Sequence, residues 1–585
     1  MIIGYLGMAP VVDTTSVASV SDVTTPPSPS EPIDNPKGRI IMPDPLSLIG
    51  TRATPQAQRA APNQVRNAAG GFTFAVDDMA RLRRFLVLGS EGGTYYTSEK
   101  ELTRDNAEVV LRLAAERTLD VVAEVVAISQ AGRAPKQKPG LFVLAACASL
   151  GDAEGRKAAL NALPLVARTS TTRNIFVGYA QQFRGWGRGM RNALGRWYTE
   201  LPADDLAYQM VKYRNREGWT DRDLLRKSHP GTDDPAHRAL FQWALGKEVD
   251  NRAVLPDIID QFEHAQRTTG VPEWERLARQ GLPWECFPDA ALKESRVWGA
   301  MLDHGMPIGA LIRQLPRLTA LGVLNDSRTR AAAVAERLTD PALLKKGRIH
   351  PVSVLLAART YASGHGERGK LTWTPKRLIT DALNDAFYAA YGAVEPTGKS
   401  MMLALDVSGS MGAQVAGSPI TCREAAAAMA LVTANVEKHW GIFGFTADGG
   451  SPLKDTRQRF GFYDSAISEL DLSPRRRLDD AVAYTRGLNF GYTDCSLPMR
   501  YASTHHMEVD TFVIYTDGET WYGDVHPHQA LREYREKSGI PARLVVVAMT
   551  ATGTSLADPD DAGMCDIAGF DSTVPNVISD FARGL

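Results

Sequence analysis

The hydrophobic period of this chain changes near residue 399, and that change limits what it can fold into. Ahead of it, apolar residues recur at three- and four-residue steps: Val76, Met79, Ala80, Leu82, Phe85 and Leu86 mark a helix over 75–88. The same spacing predicts helices over 107–129, 141–150, 188–198, 206–213, 238–245, 290–301, 308–315, 331–338, 351–362 and 374–391. Pro, Gly and Asp punctuate them, and strand-like alternation is scarce. Consecutive helices over such a length predict a helical-repeat solenoid, because a single bundle rarely grows so large. No clean repeat unit is visible. Beyond 399, apolar strands at 401–405, 440–445, 511–516 and 543–549 alternate with helices such as 422–437 and 529–537. That is the pattern of a parallel sheet covered by helices on both faces.

The chain has 585 residues, too many for one core, with 44% apolar and 23% charged residues, as in ordinary globular proteins. No run reaches the ~18 apolar residues of a membrane span, and no basic segment leads Met1–Val12 as a secretory signal would require. The five scattered cysteines form no Cys-x-x-Cys pair and predict reduced thiols in a cytoplasmic protein. Residues 1–60 hold nine Pro and twelve Ser/Thr and read as a disordered arm. The net charge of −1 conceals an asymmetry of +7 over 1–398 and −8 over 399–585. A polyanion would therefore bind the front of the chain; two surfaces of independent charge fit equally well.

The apolar run Met401–Leu405 ends in Asp406-Val407-Ser408-Gly409-Ser410. Downstream lie Thr493 and, directly after another apolar run, Asp517. Short oxygen-bearing side chains at strand ends converge on the crevice where parallel sheets bind ligands. Carboxylates and hydroxyls suit a hard divalent cation, Mg²⁺ above all, which keeps a position open for a partner's acidic group. Capping of a strand-end turn by the same Ser and Asp residues is the competing explanation. Asp494 fits either an outer layer of that site or a solvated turn.

Residues 168–227 hold twelve Lys/Arg against six acids. Within them Met190, Ala193, Leu194, Trp197 and Tyr198 form one apolar helical stripe, which leaves Arg188, Arg191 and Arg196 toward solvent. Arg184, Lys212, Arg214, Arg216, Arg226 and Lys227 complete the basic set, and Thr220–Asp223 has capping-box form. Guanidinium groups bind phosphates bidentately. Trp186, Trp197, Tyr213 and Trp219 interleave and offer faces for stacking bases. By themselves these residues fit a solvated face over core aromatics as well as an RNA surface.

Other motifs carry less. Gly364–Lys370 has the glycine and lysine spacing of a phosphate loop, but Leu371 follows where Ser or Thr is needed, and a helix precedes it. His505-His506 and His526-Pro527-His528 read as exposed loop histidines. No nucleophile with a base stands out, and Cys147 reads as a helix-core residue.

Taken together, the segments resemble the Ro family, a TROVE module followed by a von Willebrand factor A domain. The resemblance is carried by Gly70-Gly71-Phe72, Arg81–Tyr96, Leu282-Pro283-Trp284-Glu285, Met306-Pro307 with Ala310–Arg313, and Ile349-His350-Pro351. Gly364-His365-Gly366, Val394–Lys399 and Asp406–Met411 complete the series in family order. It implies a HEAT-like helical ring over 61–393 and a Rossmann-like α/β A domain over 399–585. It also implies that Asp406, Ser408, Ser410, Thr493 and Asp517 form a metal-ion-dependent adhesion site. By the same resemblance the ring binds small non-coding, Y-like RNA and single-stranded ends of misfolded or decaying RNA. The implied protein is a cytoplasmic, non-enzymatic, monomeric ring acting in RNA quality control, in bacteria beside an exoribonuclease. Family members from vertebrates tend to carry His where this chain has Asp221, so RNA contacts in this segment are expected to differ. The alternatives are a protein-adhesion scaffold acting through the A domain and, more weakly, a metal-dependent phosphatase or nuclease.

Overall fold

The computed structural model describes residues 53–585, apart from 92, 325–327, 367–369, 393, 416–418, 448–465, 475 and 489–490. Most of the segment read as a disordered arm lies outside the described residues, as do 367–369 of the glycine–lysine motif.

Helices run from Asp78–Leu88 to Arg377–Ala389. Their buried faces follow the sequence spacing: helix Arg188–Glu200 buries Met190, Ala193, Leu194, Trp197 and Tyr198. The stretch 107–129 is not one helix. Glu99–Glu116 ends at Arg117, whose φ of −132° and ψ of 41° are not helical, and Thr118–Ala131 follows as a separate helix. A one-residue break hardly disturbs the helical phase, so hydrophobic spacing does not reveal it.

The array returns on itself. The Val352 amide donates to His350 Nδ1 (3.2 Å), which leaves the ring proton on Nε2 to be donated to the Arg133 carbonyl (3.1 Å). Arg348 Nε donates to the Gln130 carbonyl (3.2 Å) across 218 positions of sequence.

The C-terminal domain is built on a six-stranded sheet in the order Met564–Ala568, Arg543–Ala548, Thr511–Thr516, Ser400–Asp406, His439–Phe445, Ile467–Glu469. Every pairing is parallel except that of Ile467–Glu469 with its neighbour. Alternate residues of each strand face opposite cores. Leu403, Leu405, Val513 and Tyr515 meet helix Cys422–Val436, and their core is continuous with that of the helical array. Met402, Ala404, Phe512 and Ile514 meet Ala530 and Leu531 of helix Pro527–Ser538 on the other face.

Both ends of the array are fastened to this domain. Arg84, in the first helix, has a side chain only 2% exposed. Its Nε and Nη2 donate to the two carboxylate oxygens of Asp566, and its Nη1 donates to the carbonyls of Thr552 (2.8 Å) and Thr554 (2.7 Å). Arg133 Nε donates to Asp571 (2.6 Å). From the last helices, Asn384 accepts from the Leu478 amide (2.9 Å), Asp381 pairs with Arg477, and Arg359 lies 3.4 Å from Glu424.

Residues 53–75 also lie on the C-terminal domain as a strap, so residues 53–60 of the expected arm are packed against it. Strand Phe72–Ala75 pairs with Gln64–Arg66 on one side and with Thr554–Ser555 of the C-terminal domain on the other. The strap is polar, and its partners are supplied by groups far away in sequence. Gln56 Nε2 donates to Asp494 Oδ1 (2.6 Å) and to the Val525 carbonyl (2.8 Å). His526 and His528 are buried beneath it, not exposed as the sequence suggested. His526 Nε2 donates to the Gln58 carbonyl (2.7 Å), and the His528 ring meets Phe74 edge-on at 5.1 Å.

Two outcomes follow from this packing. Arg84→Met leaves the Asp566 carboxylate without its buried cation and should cost about 3–5 kcal/mol; thermal unfolding and limited proteolysis should show the C-terminal domain loosening first, and an unchanged melting profile would refute the role given to Arg84. Burial lowers His350 from the ordinary 6.5 to about 4. The unfolded chain then takes up this proton before the folded one, so its contribution to stability is present above pH 6.5 and is lost as pH falls toward 4. The melting-temperature gap between wild type and His350→Gln should narrow across that window.

Candidate metal centre and basic face

Asp406 and Asp517 end adjacent parallel strands, which places both carboxylates at the same edge of the sheet. Asp406 is fully buried and oriented by two donors, the Ser408 amide to Oδ1 (2.9 Å) and Thr516 Oγ1 to Oδ2 (2.7 Å). The turn that follows brings the Ser408 and Ser410 hydroxyls to 3.1 Å. Buried Arg423 holds that turn, its Nη2 donating to the Ser408 carbonyl (2.9 Å).

Thr493 is buried in a loop tied to the neighbouring strand end, where the Asp494 amide donates to the Thr446 carbonyl (3.1 Å). Its own carbonyl accepts from the amide of Tyr522 (3.2 Å), which holds the loop against the segment after Asp517.

Asp517 carries the electrostatic strain. Burial first, then the charges of Asp406 and Glu519, push its carboxyl up to about 8, while Ser410 and the Glu519 amide pull it back. Its Oδ2 is buried, and among the described residues it has no hydrogen-bond partner. A carboxylate oxygen in that position costs free energy unless a cation or proton meets it. Two carboxylates and the hydroxyls of Ser408, Ser410 and Thr493 are the donors a hard divalent cation takes. Among the described residues no group of three or more His, Cys, Asp or Glu is arranged to hold a metal, so any cation here would draw on hydroxyls as well as carboxylates.

Other groups around this edge escaped sequence reasoning: Glu519 lies two residues beyond Asp517, while Asn67, Gly71 and Tyr96 arrive from far along the chain. Glu519 is buried and accepts from the Ala69 amide (2.9 Å) of the strap. Asn67 Nδ2 donates to the Thr520 carbonyl (2.7 Å). A Cβ on Gly71 would stand 2.1 Å from that same carbonyl oxygen, so only glycine lets the strap lie this close. Tyr96, in the loop after the first helix, is raised to about 12 by burial and by the charges of Asp517 and Glu519. Asp494 is an anchor for the strap and for Ser496, and burial raises it to about 6.

The predicted basic residues separate into two groups. Arg184, Arg188, Arg191, Arg226 and Lys227 are exposed. Lys227 sits over Trp186 (5.0 Å) and Trp219 (6.0 Å), which pack edge to face. Arg214 is exposed over the Phe262 ring (4.6 Å), and Arg216 is exposed in the hairpin of Asn215–Arg216 with Trp219–Thr220. Arg196 is half-buried, donating to Asn161 (2.8 Å). Lys212 is drawn inward, donating to Tyr208 Oη (2.8 Å) and lying 4.0 Å from Glu285, with 10% of its side chain exposed. Trp197 offers no face to a base: it is 2% exposed, its Nε1 donates to the Ala167 carbonyl, and Arg173 covers its ring at 4.3 Å. Asp221, where vertebrate family members tend to carry His, is buried against Arg173 (2.9 Å) and Tyr198 Oη (2.8 Å). A helical phase distinguishes inside from outside but does not show which charges are paired.

A helical array that closes through an α/β domain bearing hydroxyl and carboxylate donors at its sheet edge defines a two-module class, a TROVE module joined to a von Willebrand factor A domain. The family model of the TROVE domain matches residues 65–256 and 276–360, and that of the Ro60 vWA domain matches 400–582. The RNA-binding protein RO60 of Deinococcus radiodurans is 41% identical over 92% of this chain and 99% of its own length. The RNA-binding protein RO60 of Caenorhabditis elegans is 34% identical over 91% of this chain and 92% of its own. The crystal structure of the Deinococcus radiodurans RO (RSR) protein superposes with a TM-score of 0.64 at 40% identity, over 87% of this chain and all of that one. This chain belongs to the Ro family.

Asp517→Asn removes the buried repulsion and should raise the melting temperature in metal-free buffer. Added Mg²⁺ should stabilise the wild type and bind the variant about 10–100-fold more weakly. Isothermal titration that shows equal Mg²⁺ binding by both proteins would remove Asp517 from the site.

Proposed function

We propose that this protein is a non-enzymatic RNA-binding Ro protein whose helical array grips RNA while its A domain offers a Mg²⁺ site to a protein partner. The observation that carries the reading is the exposed cluster of Arg184, Arg188 and Arg191, for which no ion pair is found among the described residues. An arginine held by no internal carboxylate is free for a phosphate. Lys227 with Trp186 and Trp219 adds a cation beside aromatic faces, the combination that holds unpaired bases. Two relatives named RNA-binding proteins support the same assignment.

Small non-coding RNA and single-stranded ends of decaying RNA are the proposed ligands, and an exoribonuclease the proposed partner. The protein would work as a single ring in the cytoplasm; among the described residues no helix is long and apolar enough to cross a membrane. When bound, Mg²⁺ would supply a Lewis-acidic position for a carboxylate of the partner. Asp406 and Asp517 would balance its charge, Ser408, Ser410 and Thr493 would complete its oxygen shell, and Arg423 would hold the serine turn in place.

Affinity should be mainly electrostatic and fall steeply with salt. Replacing Arg188 and Arg191 by Glu should weaken binding of a single-stranded oligoribonucleotide regardless of sequence. The slope of log affinity against log salt should become shallower by about 1 for each phosphate that is no longer neutralised. Unchanged affinity and slope in a salt titration would move the RNA surface elsewhere.

A further inference from the structure

Beside the exposed arginines lies a cavity of about 400 Å³, open on one side. The helices Lys138–Leu150, Ala153–Asn161, Ser170–Phe183 and Arg188–Glu200 enclose it. Its volume falls in the range of small-ligand sites. Ala148, Leu160, Ala180 and Met190 give it an apolar floor. Arg156, Lys157, Arg184, Arg188 and Arg196 surround that floor, and among the described residues no acid lines it.

Two of these cations are held in place by the protein. Arg156 Nη1 donates to the Gly151 carbonyl (2.6 Å), and Arg196 donates to Asn161 Oδ1 (2.8 Å) with Glu200 3.8 Å away. For the side chains of Lys157, Arg184 and Arg188 no such partner is found among the described residues. The segment Arg184-Gly185-Trp186-Gly187-Arg188-Gly189 bends around the cavity mouth. Gly187 caps the helix Arg188–Glu200 without a side-chain hydrogen bond, and among the described residues the amides of Arg188, Gly189 and Met190, which line the cavity, find no partner. Bare amides and the positive end of the helix add to the anion-attracting field of the cations. A Cβ at Gly189 would come within 3.1 Å of Leu160 Cδ1 and crowd the floor.

A ligand that matches this lining and volume is anionic, of nucleotide size, and partly apolar. An internal phosphodiester carries one charge, and any exposed arginine can meet it. A cavity with five cations and no acid suits a terminal phosphate monoester, which carries about two charges at neutral pH. We propose that this cavity holds the 5′-terminal nucleotide of a bound RNA, its phosphate against Lys157, Arg184 and the amides at Arg188–Met190, its base over Leu160 and Met190. Ser149, Asn161 and Asn192 line the same space and offer hydrogen bonds to the sugar and base edges. This deepens the RNA-binding reading and rests on it.

The full-length protein is titrated, by fluorescence anisotropy at fixed salt, into one oligoribonucleotide labelled at its 3′ end and carrying either a 5′-hydroxyl or a 5′-monophosphate. The phosphorylated strand should bind about tenfold tighter, the gain of one charged hydrogen-bond set. Lys157→Glu, at the cavity rim, should bring that ratio close to one. Arg191→Glu, outside the cavity, should weaken both strands while the ratio is kept. Equal binding of the two strands by the wild type would overturn the 5′-end assignment and leave general RNA binding intact. Failure of both strands to bind would overturn the proposed function along with it. Adenosine 5′-monophosphate that displaces the phosphorylated strand at equal concentration would assign the cavity to free nucleotides and overturn its assignment to RNA ends.

Discussion

The structure depends on how the helical array ends. A solenoid has an apolar face at each terminus, and something must cover both. Here one α/β domain covers them together, and Arg84 is the pin. Its guanidinium is nearly buried, with the Asp566 carboxylate and two backbone carbonyls taking its donors. A charge so deep is tolerated only because its partners surround it. At the other end Arg359 and Asn384 meet the same domain, and His350 and Arg348 bond directly to the start of the array. Closure thus makes a single core that runs from the helices into the sheet.

Closure also ties the sheet edge of the A domain to the helical module. The polar strap at residues 53–75 crosses the edge of the sheet that bears Asp406 and Asp517, fixing Asp494 through Gln56 and Glu519 through Ala69. Tyr96 reaches the same edge from the loop behind the first helix. The carboxylates and hydroxyls come from the A domain, yet the frame that holds their loops is partly supplied by the helical module. The basic face is built differently: it stands on helices whose apolar sides are consumed by the core, and among the described residues no ion pair is found for Arg184, Arg188 or Arg191.

Much of this was legible in the sequence. Asp406, Ser408 and Ser410 follow an unmistakable buried strand, Asp517 stands at the end of another, Thr493 lies in a loop between them, and period alone separated the helical module from the sheet. The stripe through Met190, Leu194 and Trp197 predicted which side of its helix is buried. Other features were hidden for definite reasons. The break at Arg117 preserves helical phase. The inward turn of Lys212 toward Glu285, and of Asp221 toward Arg173, depends on partners brought near only by packing. His526 and His528 are buried because a segment more than 450 residues earlier lies over them.

Local period and side-chain chemistry were therefore enough to specify two modules, the buried faces of the helices, and oxygen donors after the strands. Packing in three dimensions chose which charges pair, which stay free, and where the strap lies. Those choices rest on contacts between residues tens to hundreds of positions apart, and no local pattern encodes the energy of burying one charge beside another.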